Sequence, residues 1–188
     1  PKGKIAAIEI NAPAFHRLEK YNRTLSGRTG CGLCGVEKLE HAIKELPIVT
    51  SDLKIKPEII HQAMNALKSQ QHLNKETGAL HAAAFADDTG KIITLREDVG
   101  RHNALDKLIG HMIREKIDPS KGFALITSRC SFEMVQKCAI IGIPIVAAVS
   151  ATTGLAVSLA EEAGVSLIAF ARKEGLNIVT DSEKRLIG

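Results

Sequence analysis

The chain has 188 residues, of which 45% are hydrophobic and 24% charged, and a formal net charge of +4. That length supports one good core with a small appended region, and no apolar run reaches membrane-spanning length. Five Phe, one Tyr and no Trp argue against base stacking as the main mode of recognition. The expected ligand is a phosphate-bearing molecule or another protein rather than a nucleic-acid strand.

The predicted elements begin with a short strand from Ile5 to Ile10. A basic, loop-like stretch from Asn11 to Gly35 follows, carrying His16, Arg17, Lys20, Arg23 and Arg28. Val36, Leu39, Ile43 and Leu46 recur at helical spacing, predicting a helix that Pro47 closes. Pro57 opens a second helix, at a first-turn position that proline tolerates, with Ile60, Met64 and Leu67 as its apolar face.

Within the basic stretch, Gly27 to Gly35 reads Gly-Arg-Thr-Gly-Cys-Gly-Leu-Cys-Gly. Four glycines remove side-chain cover around Cys31 and Cys34, predicting an exposed loop. The following helix N-terminus and Arg28 both favour thiolate over thiol, and the thiolate is the nucleophile. A C-x-x-C pair can be half of a zinc site, a redox pair or a sulfur carrier. Zinc lacks further ligands at a recognisable spacing: Cys130 and Cys138 read as buried packing residues and His41 as a solvated helix histidine. A thioredoxin-like pair expects an apolar strand upstream, where this chain is polar and basic.

From Gly78 the pattern alternates. Leu80 to Phe85 and Lys91 to Leu95 read as a hairpin across the turn Asp87-Asp88-Thr89-Gly90. Then come a helix from Asn103 to Glu115, a strand Phe123 to Thr127, a helix Glu133 to Ile141 and a strand Ile143 to Val149. A helix Leu155 to Ala163 and strands Ser166 to Phe170 and Ile178 to Thr180 complete the chain. Single helices between strands imply crossovers, hence an α/β fold in three layers, α-β-α, around a mixed, largely parallel sheet. Residues 1–50 are expected to form an N-terminal part bearing the C-x-x-C loop, and residues 51–188 an α/β cofactor-binding domain.

Ligands of such sheets bind beyond the carboxyl ends of the strands, and three junctions there carry suitable chemistry. In Arg96 to Lys107, Asn103 is placed to cap a helix with Asp106 in the return position, and Arg101 and His102 stand where an anion would dock. In Thr127 to Ser131, capping by Ser131 with Glu133 in the first turn accounts for the serines. It does not account for Arg129, whose charge opposes the helix dipole unless an anion or carboxylate is near. Ser150 to Gly154 is a hydroxyl-rich turn in which Thr152 and Thr153 could bind phosphate, although capping alone explains one threonine. The charged loop Phe170-Ala171-Arg172-Lys173-Glu174-Gly175 could close over an anionic ligand.

Together these segments resemble the formate dehydrogenase accessory sulfurtransferase family, the FdhD-type proteins. The matches are Arg28 to Gly35, His81 to Phe85, Arg96 to Lys107, Ser128-Arg129 with Glu133 to Lys137, and Ser150 to Gly154. The resemblance implies a cytoplasmic sulfur carrier, a sulfurtransferase that accepts persulfide sulfur from a cysteine desulfurase. It would pass that sulfur to the molybdenum or tungsten bis-pterin guanine dinucleotide cofactor that formate dehydrogenase needs. On the family's pattern Cys31 carries the persulfide, assisted by Cys34, and the loop Phe170 to Gly175 contacts the cofactor. This chain departs at Glu174 and Gly175, where Gly then Arg is commoner. Family members usually carry a further N-terminal region, so the chain reads as a fragment; a homodimer is compatible with it.

The family's fold resembles that of cytidine deaminases, which makes a zinc-dependent nucleotide deaminase the alternative, with a zinc-stabilised binding module as a third reading. Deaminases need a His or Cys with a catalytic Glu at one helix start and P-C-x-x-C at the next. Here those positions read His102-Asn103-Ala104 and Ser128-Arg129-Cys130-Ser131, so no bound zinc is expected.

Overall fold

Strand β1 (His81–Asp87) consists of four alanines and one phenylalanine between polar ends, and every residue from Ala82 to Ala86 is buried. Such small side chains on both faces suit the middle of a sheet covered on two sides. The computed structural model describes residues 9–13, 15 and 45–188, and the fold lies within Glu45–Gly188. Six strands run in the order β2-β1-β3-β4-β5-β6: β2 (Ile92–Asp98), β3 (Gly122–Ile126), β4 (Ile145–Ala148), β5 (Ser166–Arg172) and β6 (Gly175–Thr180) join β1.

The sheet is mixed, as expected, but less of it is parallel than the crossovers suggested. Only β3–β4 and β4–β5 are parallel, two of five pairings; β1 runs antiparallel to both β2 and β3, and β6 to β5. An all-buried apolar strand reads alike in either direction, so sequence alone did not reveal this. At the β1–β3 border, a Cβ on Gly122 would stand 2.0 Å from the Ala86 carbonyl oxygen; only glycine permits that approach.

Helix α1 (Pro57–Gln70) buries Ile60, Ala63, Met64 and Leu67. They pack with Ala82, Ala84, Phe123, Leu125, Ile145, Ala147, Ile168 and Ala171 in one cluster on one face of the sheet. Each large apolar side chain buried there contributes about 1.5–3 kcal/mol. A six-residue helix α2 (His72–Thr77) follows, ending at Gly78 in the left-handed region (φ +65°). The other face carries α3 (Arg101–Arg114), α4 (Phe132–Ile141) and α5 (Gly154–Glu162). Helices α4 and α5 link successive parallel strands, and right-handed crossovers put both on the same side. The result is the expected three layers.

The main differences from expectation are local. Helix α2 and a short 3-10 turn at Pro119–Lys121 were not anticipated, and β2, β5 and β6 run longer than the sequence suggested. Ala12, Pro13 and Phe15 are helical within the expected loop, and Glu45 and Leu46 are not helical. Glu9 and Ile10 lie outside any strand. The rest of the expected first strand, of the basic loop and of the helix from Val36 lies outside the described residues.

Candidate functional site

The carboxyl ends of β2, β3, β4 and β5 share one end of the sheet with the start of β1, and four junctions gather there. The loops after β3 and β4 are laced together. Cys130 N–H donates to the Ala151 carbonyl and Thr153 N–H to the Cys130 carbonyl, both at 3.1 Å, forming a parallel bridge between Cys130 and Thr152. Phe170 N–H then donates to Ser150 O at 3.3 Å. Arg129, Thr152, Thr153 and Phe170 are therefore carried on one connected set of loops.

Strand β5 changes character at Phe170. Its φ is +51°, a left-handed conformation that is costly for an aromatic residue and argues for over-determination by its surroundings. Pairing with β6 jumps between Ala169 and Arg172, the mark of a bulge. The Phe170 ring is exposed, with the Arg172 guanidinium 5.6 Å from its centroid. Arg172 is also held from two sides: Nε donates to the Val149 carbonyl at 2.8 Å, and His61 Nε2 on α1 donates to the Arg172 carbonyl. With Nε engaged, the Nη groups are the ones left for an anion.

Beside this bulge lies a cavity of about 560 Å3, bounded by α1, α2 and the β5–β6 turn. Met64, Leu67, Val149 and Ala171 supply apolar lining, and Lys68, Arg172 and Lys173 supply positive charge, with Glu174 as the one carboxylate. Its size and mixed lining fall within the range of small-molecule sites. A second cavity of about 420 Å3 adjoins it, sharing Gln71, Asn74 and Thr127 and adding Gly78, Ala79, Leu80 and His81. His81 is held below the ordinary histidine range, first by burial and then by the Arg101 charge, so it is neutral at pH 7.

The structure therefore brings together part of the expected set. Ala171, Arg172, Lys173 and Glu174 line the larger cavity, whereas Phe170, Gly175, Arg101, His102, Asn103, Arg129, Thr152 and Thr153 do not. His102 belongs to the helical face. Its Nδ1 lies 3.4 Å from Glu133 Oε2, and burial lowers its pKa more than Glu133 raises it. Glu133 thus places a carboxylate at the start of α4. At that start Ser131 makes no side-chain cap, contrary to expectation, and its Oγ is buried without a partner.

The expected cap of α3 also differs. Gly100 is the cap residue and Asn103 already lies in the helix. Asp98 does the capping from the preceding strand, its Oδ1 accepting from Gly100 N–H at 2.9 Å and from Asn103 Nδ2 at 3.2 Å. Asp106 pairs instead with Lys137 at 2.7 Å. Thr153 does cap α5, accepting from Ala156 N–H at 3.3 Å.

Sequence reasoning missed the amides of α2. Glu97 on β2 accepts from the Leu73 and Asn74 N–H groups, both at 2.9 Å, and so fastens α2 across the sheet edge. The only sequence signal was the Gln71-His-Leu-Asn74 stretch, too short and polar for periodicity to register. Cys130 and Cys138 are buried, as expected. Cys31, Cys34, Arg28 and His41 lie outside the described residues. Among the described residues no group of His, Cys, Asp and Glu could hold a metal ion, and no helix is long and apolar enough to cross a membrane.

The FdhD/NarQ family model matches residues 2–186. The chain is 46% identical over 182 residues to the sulfur carrier protein FdhD of Bordetella petrii, covering 97% of this chain and 66% of that one. Identity to the protein of the same name from Xanthomonas euvesicatoria is 46% over 187 residues, covering 100% and 66%. The chain thus spans about two thirds (66%) of the length of the curated relatives it matches. A crystal structure from Desulfotalea psychrophila, of a candidate formate dehydrogenase accessory protein, superposes with a TM-score of 0.69 at 28% identity. It covers 77% of this chain and 59% of that one.

Proposed function

Since the chain belongs to the FdhD/NarQ family, we propose that it acts as a sulfur carrier for formate dehydrogenase. Its sulfur donor is a cysteine desulfurase, and its acceptor is the molybdenum or tungsten bis-pterin guanine dinucleotide cofactor, bound as the molecule to be modified. The Cys31 thiolate attacks the terminal sulfur of the desulfurase persulfide. That sulfur–sulfur bond breaks, the desulfurase cysteine leaves as a thiolate, and Cys31 holds the new persulfide, with Cys34 assisting. Arg28 stabilises the attacking anion.

The observation that supports cofactor binding is the cavity beside the β5–β6 turn. Its apolar lining offers a surface for a flat heterocycle, and the doubly anchored Arg172 with Lys173 offers charge for a diphosphate. Exposed positive groups at the rim of an apolar surface suit an anionic ligand that has an aromatic part.

Two measurements test the reading. Incubation with a cysteine desulfurase and cysteine should add one sulfur to the peptide holding Cys31, seen by mass spectrometry; formate dehydrogenase activation that survives Cys31→Ala would overturn the carrier assignment. By calorimetry, guanosine diphosphate should bind more tightly than guanosine. Equal affinities would argue against a diphosphate site, and selective cytidine binding would favour the deaminase alternative.

A further inference from the structure

Gln71 is 4% exposed, and its Nε2 is buried with no hydrogen-bond partner. A buried amide donor left unmade is costly and is rare without water or a ligand to satisfy it. Gln71 lines both cavities at their junction, together with Asn74. The Asn74 amide is also oriented: its Oδ1 accepts from Leu80 N–H at 2.9 Å, so the group it has to offer is the Nδ2 donor. Glu97 holds the first turn of α2 in place through the N–H groups of Leu73 and Asn74. The junction thus presents two amide donors on a fixed support, next to an apolar surface.

Two neighbouring donors call for a ring edge with two neighbouring acceptors. Guanine has such an edge in O6 and N7, whereas adenine puts its N6 amino donor where guanine has O6. We infer that Gln71 and Asn74 read the O6/N7 edge of a guanine-type ring and are the residues that exclude adenine from this site. The inference rests on the reading that the cavity takes a guanine nucleotide, and it adds which residues select the base and by which atoms.

Calorimetry on the full chain with guanosine, inosine and adenosine diphosphates tests it. Inosine keeps O6 and N7 and lacks only the 2-amino group, so guanosine and inosine diphosphates should bind alike. Both should exceed adenosine diphosphate by about tenfold or more, the worth of one good hydrogen bond plus a donor facing a donor. Gln71→Met, similar in size without the donor, should weaken guanosine and inosine diphosphates about tenfold and should not weaken adenosine diphosphate, which loses an opposing donor. The wild-type comparison stands even where a variant fails to fold. Adenosine diphosphate binding as tightly as guanosine diphosphate would overturn the inference while leaving the nucleotide site standing. So would equal weakening of all three ligands in Gln71→Met. If none of the three binds, the nucleotide reading itself falls, and this inference with it.

Discussion

Arg185 Nη2 donates to the Val49 carbonyl at 2.8 Å, across 136 residues of sequence. Its Nη1 donates to the Gly164 carbonyl, and the side chain is 1% exposed. The C-terminal turn is anchored in turn by Asp181, whose Oδ1 accepts from Arg185 N–H at 2.9 Å and Ser166 Oγ at 2.5 Å. One guanidinium therefore serves two carbonyls that water does not reach.

Arg185→Met should accordingly cost about 3 kcal/mol of unfolding free energy, because it strands both carbonyls without a donor. Guanidinium titration measures this. A loss below about 1 kcal/mol would mean that the carbonyls find other partners.

The buried thiols should be silent. Burial raises the Cys138 pKa to about 12 and that of Cys130 still further, so neither supplies appreciable thiolate at pH 8. Under native conditions an alkylating reagent should leave both unmodified, and denaturant should release them. Labelling of Cys130 in the folded protein at a rate typical of a free thiol would contradict the packing described here.

The pH dependence of stability has a predictable sign at His81. Burial and the Arg101 charge lower its pKa from 6.5, so the unfolded chain takes up a proton that the folded site refuses. Stability should therefore fall as pH drops below about 6.5, and level off once the folded site protonates. His102 acts in the same direction. His81→Gln should flatten the stability curve between about pH 7.5 and 5; an unchanged slope would show that His81 does not carry this linkage.

Asp98 has the opposite behaviour. Its hydrogen bond with Lys107, at 2.5 Å, and then the Gly100 N–H lower its pKa from 3.8 to about 2. Its contribution is complete above pH 3.8 and fades as pH falls through about 2. The stability gap between wild type and Asp98→Ala should be constant near neutrality and close in acid. In that variant the Gly100 amide should also exchange faster, as the turn into α3 loses its cap. Protection equal to wild type would show that Asp98 does not organise the turn.

Much of this fold was legible because its elements carry clean periodicity. Ile60, Met64 and Leu67 marked the buried face of α1, and the hairpin was written in Asp87 to Gly90. What was hidden depends on pairings distant in sequence. Nothing local tells that β1 runs antiparallel to β3, since Ala82 to Ala86 are buried on both faces whichever way the neighbour runs. Asn103 resembled a cap because it begins an apolar period; the carboxylate that organises the turn stands five residues earlier, on a strand. The loop Phe170 to Gly175 was visible as chemistry, and Ala171 to Glu174 do line the larger cavity. The amides of Gln71 and Asn74 in the same lining were not visible, because a buried glutamine differs from an exposed one only once the fold has formed.

The bulge in β5 has a consequence for how the chain tolerates changes in length. Ile168 and Ala171 belong to the same apolar cluster although three positions apart, where a regular strand would repeat after two. Phe170 is thus a supernumerary residue: the inward and outward facing of its neighbours would survive its removal. Substituting it keeps the extra backbone unit and its left-handed twist, but deleting it yields a plain strand with every other side chain on its present face. At this bulge a single-residue deletion takes away the aromatic surface beneath Arg172 without reversing the strand.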